Sequence, residues 1–210
     1  MQNQSSLPTP ENNPYAPPTA ALEIPGTQEF YVVSMRKFWL MSIATAGLYF
    51  LYWGFRHYQT IRDKSQQPMW PVARAIFMVF FYHDLYRRFA VAALSRSTNF
   101  TFNHTQYATA NVVVVLISTI CGQLSSRAIG MPITNLLPLF LIFAQAYLMA
   151  AAQSVANFAS DDELGSTNAG ITATNVLWMA IGALIWGLVI FSVYVAVFNP
   201  ELLRSVNRVG

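Results

Sequence analysis

The residues best suited to chemistry form one charged cluster, His83, Asp84, Arg87 and Arg88, inside an otherwise apolar stretch. Ionisable side chains at membrane depth are rare and commonly serve a proton relay or an ion site. Asp84 has the i,i+3 and i,i+4 spacing that lets it pair with Arg87 and Arg88 on one helix, which leaves a net positive charge. The cluster is predicted to be a proton relay or an anion site. An interfacial helix whose charges meet lipid headgroups fits the same residues.

Amide and hydroxyl side chains form a second candidate set in two later apolar segments. On a helical wheel, the polar residues of each segment fall on one stripe. Lipid offers such groups no partners, so we expect the two stripes to face a common bundle interior. Interhelical hydrogen bonding and a polar path for a solute both fit this pattern. The candidate interior residues are Asn111, Ser118, Asn135, Gln145, Gln153 and Asn157.

Sequence motifs of catalysis and metal binding are absent. The chain contains no G-x-S-x-G, H-E-x-x-H, P-loop or G-x-G-x-x-G motif. Its one cysteine, Cys121, can form neither an internal disulfide nor a cysteine zinc cluster. Asp161 and Asp162 are adjacent in a polar connection, whereas an intramembrane protease needs paired aspartates within its spans. We therefore expect no enzyme activity, no catalytic residue, no cofactor and no metal.

Composition places these residues in lipid. Hydrophobic residues make up 54% of the 210 residues and charged residues only 10%, against about 25% charged in an average soluble domain. A soluble fold so poor in charge would expose large apolar patches. The net charge of +3 comes from Lys and Arg placed between apolar runs, as at membrane edges. The expected partner is the lipid bilayer, with a second copy or another membrane protein as further candidates, and no nucleic acid.

Apolar segments predict an all-α, polytopic transmembrane helix bundle. Four segments have the length and composition of spans, and the charged helix at 72–94 either spans or lies in the interface. The four spans are expected at about 38–55, 107–126, 133–158 and 175–198. The shortest covers about 27 Å, just enough for a hydrocarbon core of about 30 Å.

Polar segments flank this transmembrane domain of residues 31–200. Residues 1–30 carry six of the eleven prolines among Gln, Asn, Ser and Thr and are predicted to be a disordered tail. Residues 201–210 form a short C-terminal tail. The segment 56–71 is predicted to be a polar connection, so His57 is expected in a loop.

The distribution of Lys and Arg predicts an orientation. If 72–94 spans, seven of the twelve basic residues lie on one face and five on the other. This count puts Arg74 and Arg88 on opposite faces, the C-terminus in the cytoplasm and the acidic loop 160–163 outside. An interfacial helix would change the count.

Two sequence blocks resemble a family of uncharacterised multi-pass inner-membrane proteins from Gram-negative bacteria, some of which carry permease-like labels. The first block comprises residues 31–34, 37–38, 45–49 and 52–53, and the second comprises Trp70-Pro71, residues 74–77 and 80–83. Asn175, Gly182 and Trp186 in the last segment also fit. The resemblance covers about residues 31–90 well and the remainder loosely. It implies a bacterial inner membrane and supplies no catalytic residues.

Two functions remain open from the sequence. The first is a non-enzymatic membrane component, such as a scaffold, regulator or accessory subunit. The alternative is a small permease or channel that uses the polar bundle interior. Both place the chain in the bacterial inner membrane as a multi-pass protein.

Overall fold

The computed structural model describes residues 29–127 and 129–198, without the side chains of residues 196 and 197. Within these ranges the chain is all-helical and has no strand, which confirms the all-α prediction. The predicted C-terminal tail 201–210 and residues 1–28 of the predicted N-terminal tail lie outside the described residues. The helices are α1 Met35–Ala44, α2 Tyr49–Ser65, α3 Pro71–Ile76, α4 Met78–Arg96, α5 His104–Ser126, α6 Ile133–Ala159 and α7 Ala173–Phe198, with a 3₁₀ turn at Ser166–Asn168.

Three of the described helices are long and apolar enough to cross a membrane. They are α5, α6 and the Ala173–Val195 part of α7. Many of their large apolar side chains point away from the protein: Leu184, Leu188 and Phe191 of α7 are 72%, 70% and 65% exposed. Such exposure would be costly in water over so wide a surface, so the three helices indicate a membrane protein.

The segment predicted as the first span, 38–55, is not one continuous helix. α1 ends at Ala44 after ten residues, and Ala46 and Gly47 then adopt positive φ angles of 51° and 86°. Two consecutive left-handed residues end a right-handed helix, a feature that hydropathy does not register. α2 then continues to Ser65, through the predicted polar connection. The prediction of four spans is therefore not confirmed.

The charged segment 72–94 is also divided. α3 begins with Pro71 in its first turn, and a break at Phe77 separates it from α4. The buried face of α4 is apolar or aromatic and includes Met78, Tyr82, Leu85, Tyr86 and Phe89. The charged side chains therefore lie on the opposite, more accessible half.

The helices α4, α5 and α6 form the centre of the bundle. α5 and α6 are antiparallel, since Asn111 near the start of α5 bonds Gln145 late in α6, while Ser125 near the end of α5 bonds Asn135. α4 runs in the same direction as α6, and Arg96 at its end bonds the Phe158 carbonyl oxygen. One end of the bundle thus collects the end of α4, the start of α5 and the end of α6.

α1 and α2 form a helical hairpin that packs beside this end. The Phe38 ring of α1 lies 5.8 Å from the Tyr49 ring and 6.5 Å from the Trp53 ring of α2. α7 touches the tip of the hairpin at Gly182, where an added Cβ would lie 2.0 Å from the Ala44 carbonyl oxygen. Only glycine permits this approach, and it fixes α7 against the turn between α1 and α2.

Candidate functional site

An extended segment of residues 30–33, here called the strap, is buried against the C-terminal half of α6. The Val33 backbone N–H donates to Asn157 Oδ1 at 3.3 Å, and its carbonyl oxygen accepts from Asn157 Nδ2 at 2.9 Å. The Phe30 N–H donates to Ser160 Oγ at 3.0 Å. Buried backbone groups need partners, and here α6 side chains supply them in place of a neighbouring strand.

Gln153 of α6 joins the strap to α2. Its amide nitrogen donates to the Tyr31 carbonyl oxygen at 3.0 Å and to Asn157 Oδ1 at 2.7 Å. Its amide oxygen lies 3.1 Å from His57 Nε2 and accepts a hydrogen bond from Trp53 Nε1. Both amide hydrogens and both oxygen lone pairs are therefore used. Because this oxygen is an acceptor, the neutral His57 ring carries its proton on Nε2.

His57 was expected in a loop, and that expectation is wrong. The residue lies on α2 with 0% of its surface exposed. Its ring packs 4.3 Å from the Trp53 ring and 4.8 Å from the Phe89 ring. The histidine is a packed, hydrogen-bonded core residue at the junction of α2, α4, α6 and the strap.

Lys37 and Asn168 close the outer end of the strap. The Lys37 ammonium donates to Asn168 Oδ1 and to the Gly170 carbonyl oxygen, both at 2.7 Å. Asn168 Nδ2 in turn donates to the Val32 carbonyl oxygen and the Tyr31 hydroxyl, both at 2.9 Å. Lys37 is only 5% exposed, and no carboxylate of the described residues lies within 4 Å of its ammonium. A buried cation is thus held by neutral acceptors alone.

A second polar group lies two helical turns deeper, between α4, α5 and α6. Gln145 Nε2 donates to the Tyr82 hydroxyl and to Asn111 Oδ1, both at 2.7 Å. Asn111 Nδ2 donates to the Tyr86 hydroxyl at 3.0 Å and to the Tyr107 carbonyl oxygen at 2.9 Å. Both amides and the tyrosines Tyr82 and Tyr86 are buried.

The structure divides the predicted interior set between these sites. Asn111 and Gln145 form the deeper group, whereas Gln153 and Asn157 hold the strap. Asn135 pairs with Ser125 near the opposite end of the bundle. Ser118 is half-buried on α5 and, within the described chain, joins none of these hydrogen bonds. The interior polar residues therefore lie in separate clusters.

Asp84 is the centre of the charged cluster. Its Oδ2 lies 3.1 Å from Arg74 Nη1 and 3.0 Å from Arg88 Nε, and its Oδ1 lies 3.6 Å from Arg87 Nη2. His83 is exposed and instead lies 3.1 Å from Thr109 Oγ1. The cluster is therefore one carboxylate with three guanidinium groups, a net positive site without histidine.

Arg74 is one of the residues on which the predicted orientation depends. It was placed on the opposite membrane face from Arg88, yet both bind one oxygen of Asp84. The bend at Phe77 brings α3 back towards α4 and makes this possible. Arg74 also packs 5.1 Å from the Tyr58 ring and 4.9 Å from the Phe81 ring. The two arginines thus lie beside the same carboxylate.

The acidic loop after α6 is organised by Asp162. Its carboxylate accepts hydrogen bonds from the N–H and hydroxyl groups of Ser166 and Thr167, at 2.8–3.0 Å. Slight burial raises the pKa of Asp162, but these hydrogen bonds outweigh it and lower the pKa to about 2. Asp161 pairs with Arg96 and connects the loop to the end of α4. The loop is therefore ordered and fixed to the bundle.

The sequence predicted neither the strap nor its partners Trp53, His57 and Lys37. One signal was present: Phe30, Tyr31, Val32 and Val33 form an apolar run at the end of a polar tail. Such a run is too short to predict a helix and has no neighbouring strand pattern to predict a sheet. Its buried position depends on side chains more than 120 residues away.

The chain matches no model of a known protein family, no curated protein and no solved structure. A function must therefore be proposed from the hydrogen bonds, ion pairs and burial described above.

Proposed function

We propose that the protein is a non-enzymatic, multi-pass component of the bacterial inner membrane, acting as a scaffold, regulator or accessory subunit. One observation supports this proposal most directly. Gln153 and Asn157 bond each other and the strap, and Gln153 uses its whole hydrogen-bonding capacity within the protein. A solute path needs polar groups that are free to exchange partners, whereas a rigid, internally bonded core suits a component that presents fixed surfaces.

The topology that we propose has three spans, α5, α6 and α7, with α1–α4 collected at one end of them. The pairing of Arg74 and Arg88 with the same carboxylate, Asp84, and of Arg96 with Asp161 supports this arrangement. Nine of the twelve basic residues then belong to that end, and only Arg127, Arg204 and Arg208 follow the opposite ends of the spans. By the positive-inside rule, the end that carries nine basic residues faces the cytoplasm. The loop 160–163 is then cytoplasmic, opposite to the orientation expected from five spans.

Cysteine accessibility tests this topology. In a Cys121→Ser background, Gln66→Cys, Asn99→Cys and Glu163→Cys are each expected to react with a membrane-impermeant maleimide only from the cytoplasmic side. Ser126→Cys, at the other end of α5, is the matched site and should react only from outside. Labelling of the cysteines at positions 66 and 99 from opposite sides of the membrane would support the five-span topology and contradict the three-span topology.

A small permease is the second candidate, and the positive Asp84 cluster is the observation that favours it. Uptake of small organic anions into proteoliposomes separates the two functions. The scaffold proposal expects no uptake above that of empty liposomes, together with a partner recovered by crosslinking. Uptake that is lost in Asp84→Ala and Arg88→Ala, but kept in the exposed control Asp63→Ala, would establish transport instead.

A further inference from the structure

A cavity of about 880 Å³ lies between the α1–α2 hairpin, α3 and the start of α7. Ligand sites in proteins commonly have volumes of about 300–1,000 Å³. This cavity is separate from the Asp84 cluster and from the Gln145 group, none of whose residues lines it. One wall is the strap, through Tyr31 and Val32.

The charges that line this cavity are all positive. Its lining contains Lys37 and Arg56 and no acidic residue. The Arg56 guanidinium lies 5.2 Å from the Tyr31 ring and 5.9 Å from the Tyr52 ring, and its buried Nε has no hydrogen-bond partner in the described chain. Neither cation has a carboxylate of the described residues within 4 Å. Lys37 is buried and Arg56 is half-buried, and charges removed from water are stabilised by an opposite charge, which the described protein does not supply here.

The beginning of α7 adds to the positive potential. Thr172 and Asn175 line the cavity and cap this helix reciprocally: the Thr172 N–H donates to Asn175 Oδ1 at 3.0 Å, and the Asn175 N–H donates to Thr172 Oγ1 at 3.3 Å. The N-terminal end of a 26-residue helix carries a partial positive charge. A helix end, an ammonium and a guanidinium therefore act on one cavity.

The outer part of the cavity is apolar and open. Leu51, Val72, Ile76 and Trp178 line it and are 48%, 44%, 61% and 43% exposed. These side chains come from α2, α3 and α7, so the opening lies between those helices. An opening lined this way faces the hydrocarbon of a bilayer more favourably than it faces water.

We propose that this cavity binds an anionic lipid of the bilayer, with its acidic headgroup against Lys37 and Arg56 and its acyl chains leaving through the apolar opening between α2, α3 and α7. The positively charged inner end of the cavity favours a lipid with an anionic headgroup. The apolar opening selects a molecule that carries chains, and it excludes a free anion as the ligand of highest affinity. This inference stands whether the protein is a scaffold or a permease.

Titration of the full-length protein in a neutral detergent tests the proposal. The probes are dioctanoyl phosphatidylglycerol, dioctanoyl phosphatidylcholine and inorganic phosphate, with bound lipid counted by native mass spectrometry. We expect phosphatidylglycerol to bind at least tenfold more tightly than either of the others. Arg56→Gln should raise its apparent Kd about tenfold to a hundredfold, the range for loss of a charge-assisted hydrogen bond. Arg56→Lys should restore much of the affinity.

Two further variants keep the test decisive. Arg62→Gln is the matched control, because it removes an exposed arginine of the same helix that does not line the cavity, and it should bind as the unaltered protein does. Thr174→Glu places an acid at the exposed start of α7 within the lining, where it favours the helix and repels an anion. It tests the site even if Arg56→Gln does not fold, and it should weaken phosphatidylglycerol binding.

Three results would overturn the proposal. The first is equal binding of the two lipids, and the second is phosphatidylglycerol binding that neither Arg56→Gln nor Thr174→Glu weakens. The third is inorganic phosphate binding as tightly as phosphatidylglycerol with the same sensitivity to Arg56→Gln, which would make the ligand a free anion.

Discussion

The two halves of α6 have the same secondary structure and different surroundings. In residues 133–144 only Thr134 is buried, and Ile133, Phe140 and Phe143 are exposed. In residues 145–157 most side chains are buried, and three amides among them, Gln145, Gln153 and Asn157, bond other elements. The first half is suited to lipid, whereas the second is enclosed by α1, α4, α5 and the strap.

This difference shows what an apolar sequence does and does not specify. Both halves are apolar enough to contribute to one membrane-length helix. The enclosed half differs because small residues, Ala146, Ala150 and Ala156, let neighbours approach, while its amides give those neighbours fixed positions. A single apolar helix therefore serves as a lipid-facing span at one end and as the core of a packed domain at the other.

The largest expected effect is at Gln153, in the enclosed half. Gln153→Leu removes four hydrogen bonds and leaves buried groups of Tyr31, Trp53 and His57 without their partner. We expect the free energy of unfolding to fall by about 3–5 kcal/mol, measured by reversible denaturation in detergent micelles.

Two comparisons accompany that variant. Gln123→Leu, an exposed glutamine on α5, should change stability by no more than about 0.5 kcal/mol. Asn135→Leu, in the lipid-facing half of α6, should cost about 1 kcal/mol, because hydrogen bonds between membrane helices contribute little on average. Equal losses for Gln153→Leu and Asn135→Leu would remove the distinction between the two halves.

A smaller effect is expected where α7 meets the hairpin. Gly182→Ala places a Cβ within 2.0 Å of the Ala44 carbonyl oxygen, so α7 must move away at a cost of about 2–3 kcal/mol. Gly187→Ala is the matched control, since no atom lies within 4 Å of the added Cβ, and helix propensity should stabilise it by up to about 1 kcal/mol. Denaturation of both variants provides the measurement. A destabilised Gly187→Ala together with an unaffected Gly182→Ala would show that α7 packs by its other face.

The smallest effect is a pH dependence confined to the loop after α6. The pKa of Asp162 is lowered from 3.8 to about 2, so its stabilising contribution is complete above about pH 3.8 and is lost as the pH falls through about 2. Hydrogen exchange at the Ser166 and Thr167 amides, corrected for intrinsic rates, should show protection at pH 5 that disappears near pH 2. Asp162→Asn should abolish this dependence and Glu163→Gln should keep it; protection unchanged at pH 2 would contradict the assignment.

The apolar helices could be predicted from sequence because their signal is local. The segments expected at 107–126, 133–158 and 175–198 differ from α5, α6 and α7 by only a few residues at each end. Length and hydropathy determine whether a segment forms a membrane-length helix, and both are properties of one continuous stretch of sequence.

The remaining features depend on backbone conformation or on distant residues. Ala46 and Gly47 belong to an apolar window that predicts a span, yet their positive φ angles turn the chain. Arg74 joins Asp84 only because of the bend at Phe77, which no charge or proline marks. His57 is buried because Gln153, 96 residues later, supplies its partner. Single-sequence patterns contain none of this information.

The strap also has a consequence for the order of events during synthesis. Phe30 bonds Ser160, and the two residues are 130 positions apart. At a translation rate of about 5–20 residues per second, the strap waits on the order of ten seconds for its binding surface to be made. During that interval the short apolar run lacks its partners on α6, and Lys37 lacks Asn168 and Gly170. The strap is therefore made before the part of α6 that holds it and is among the last of the described segments to reach its final position.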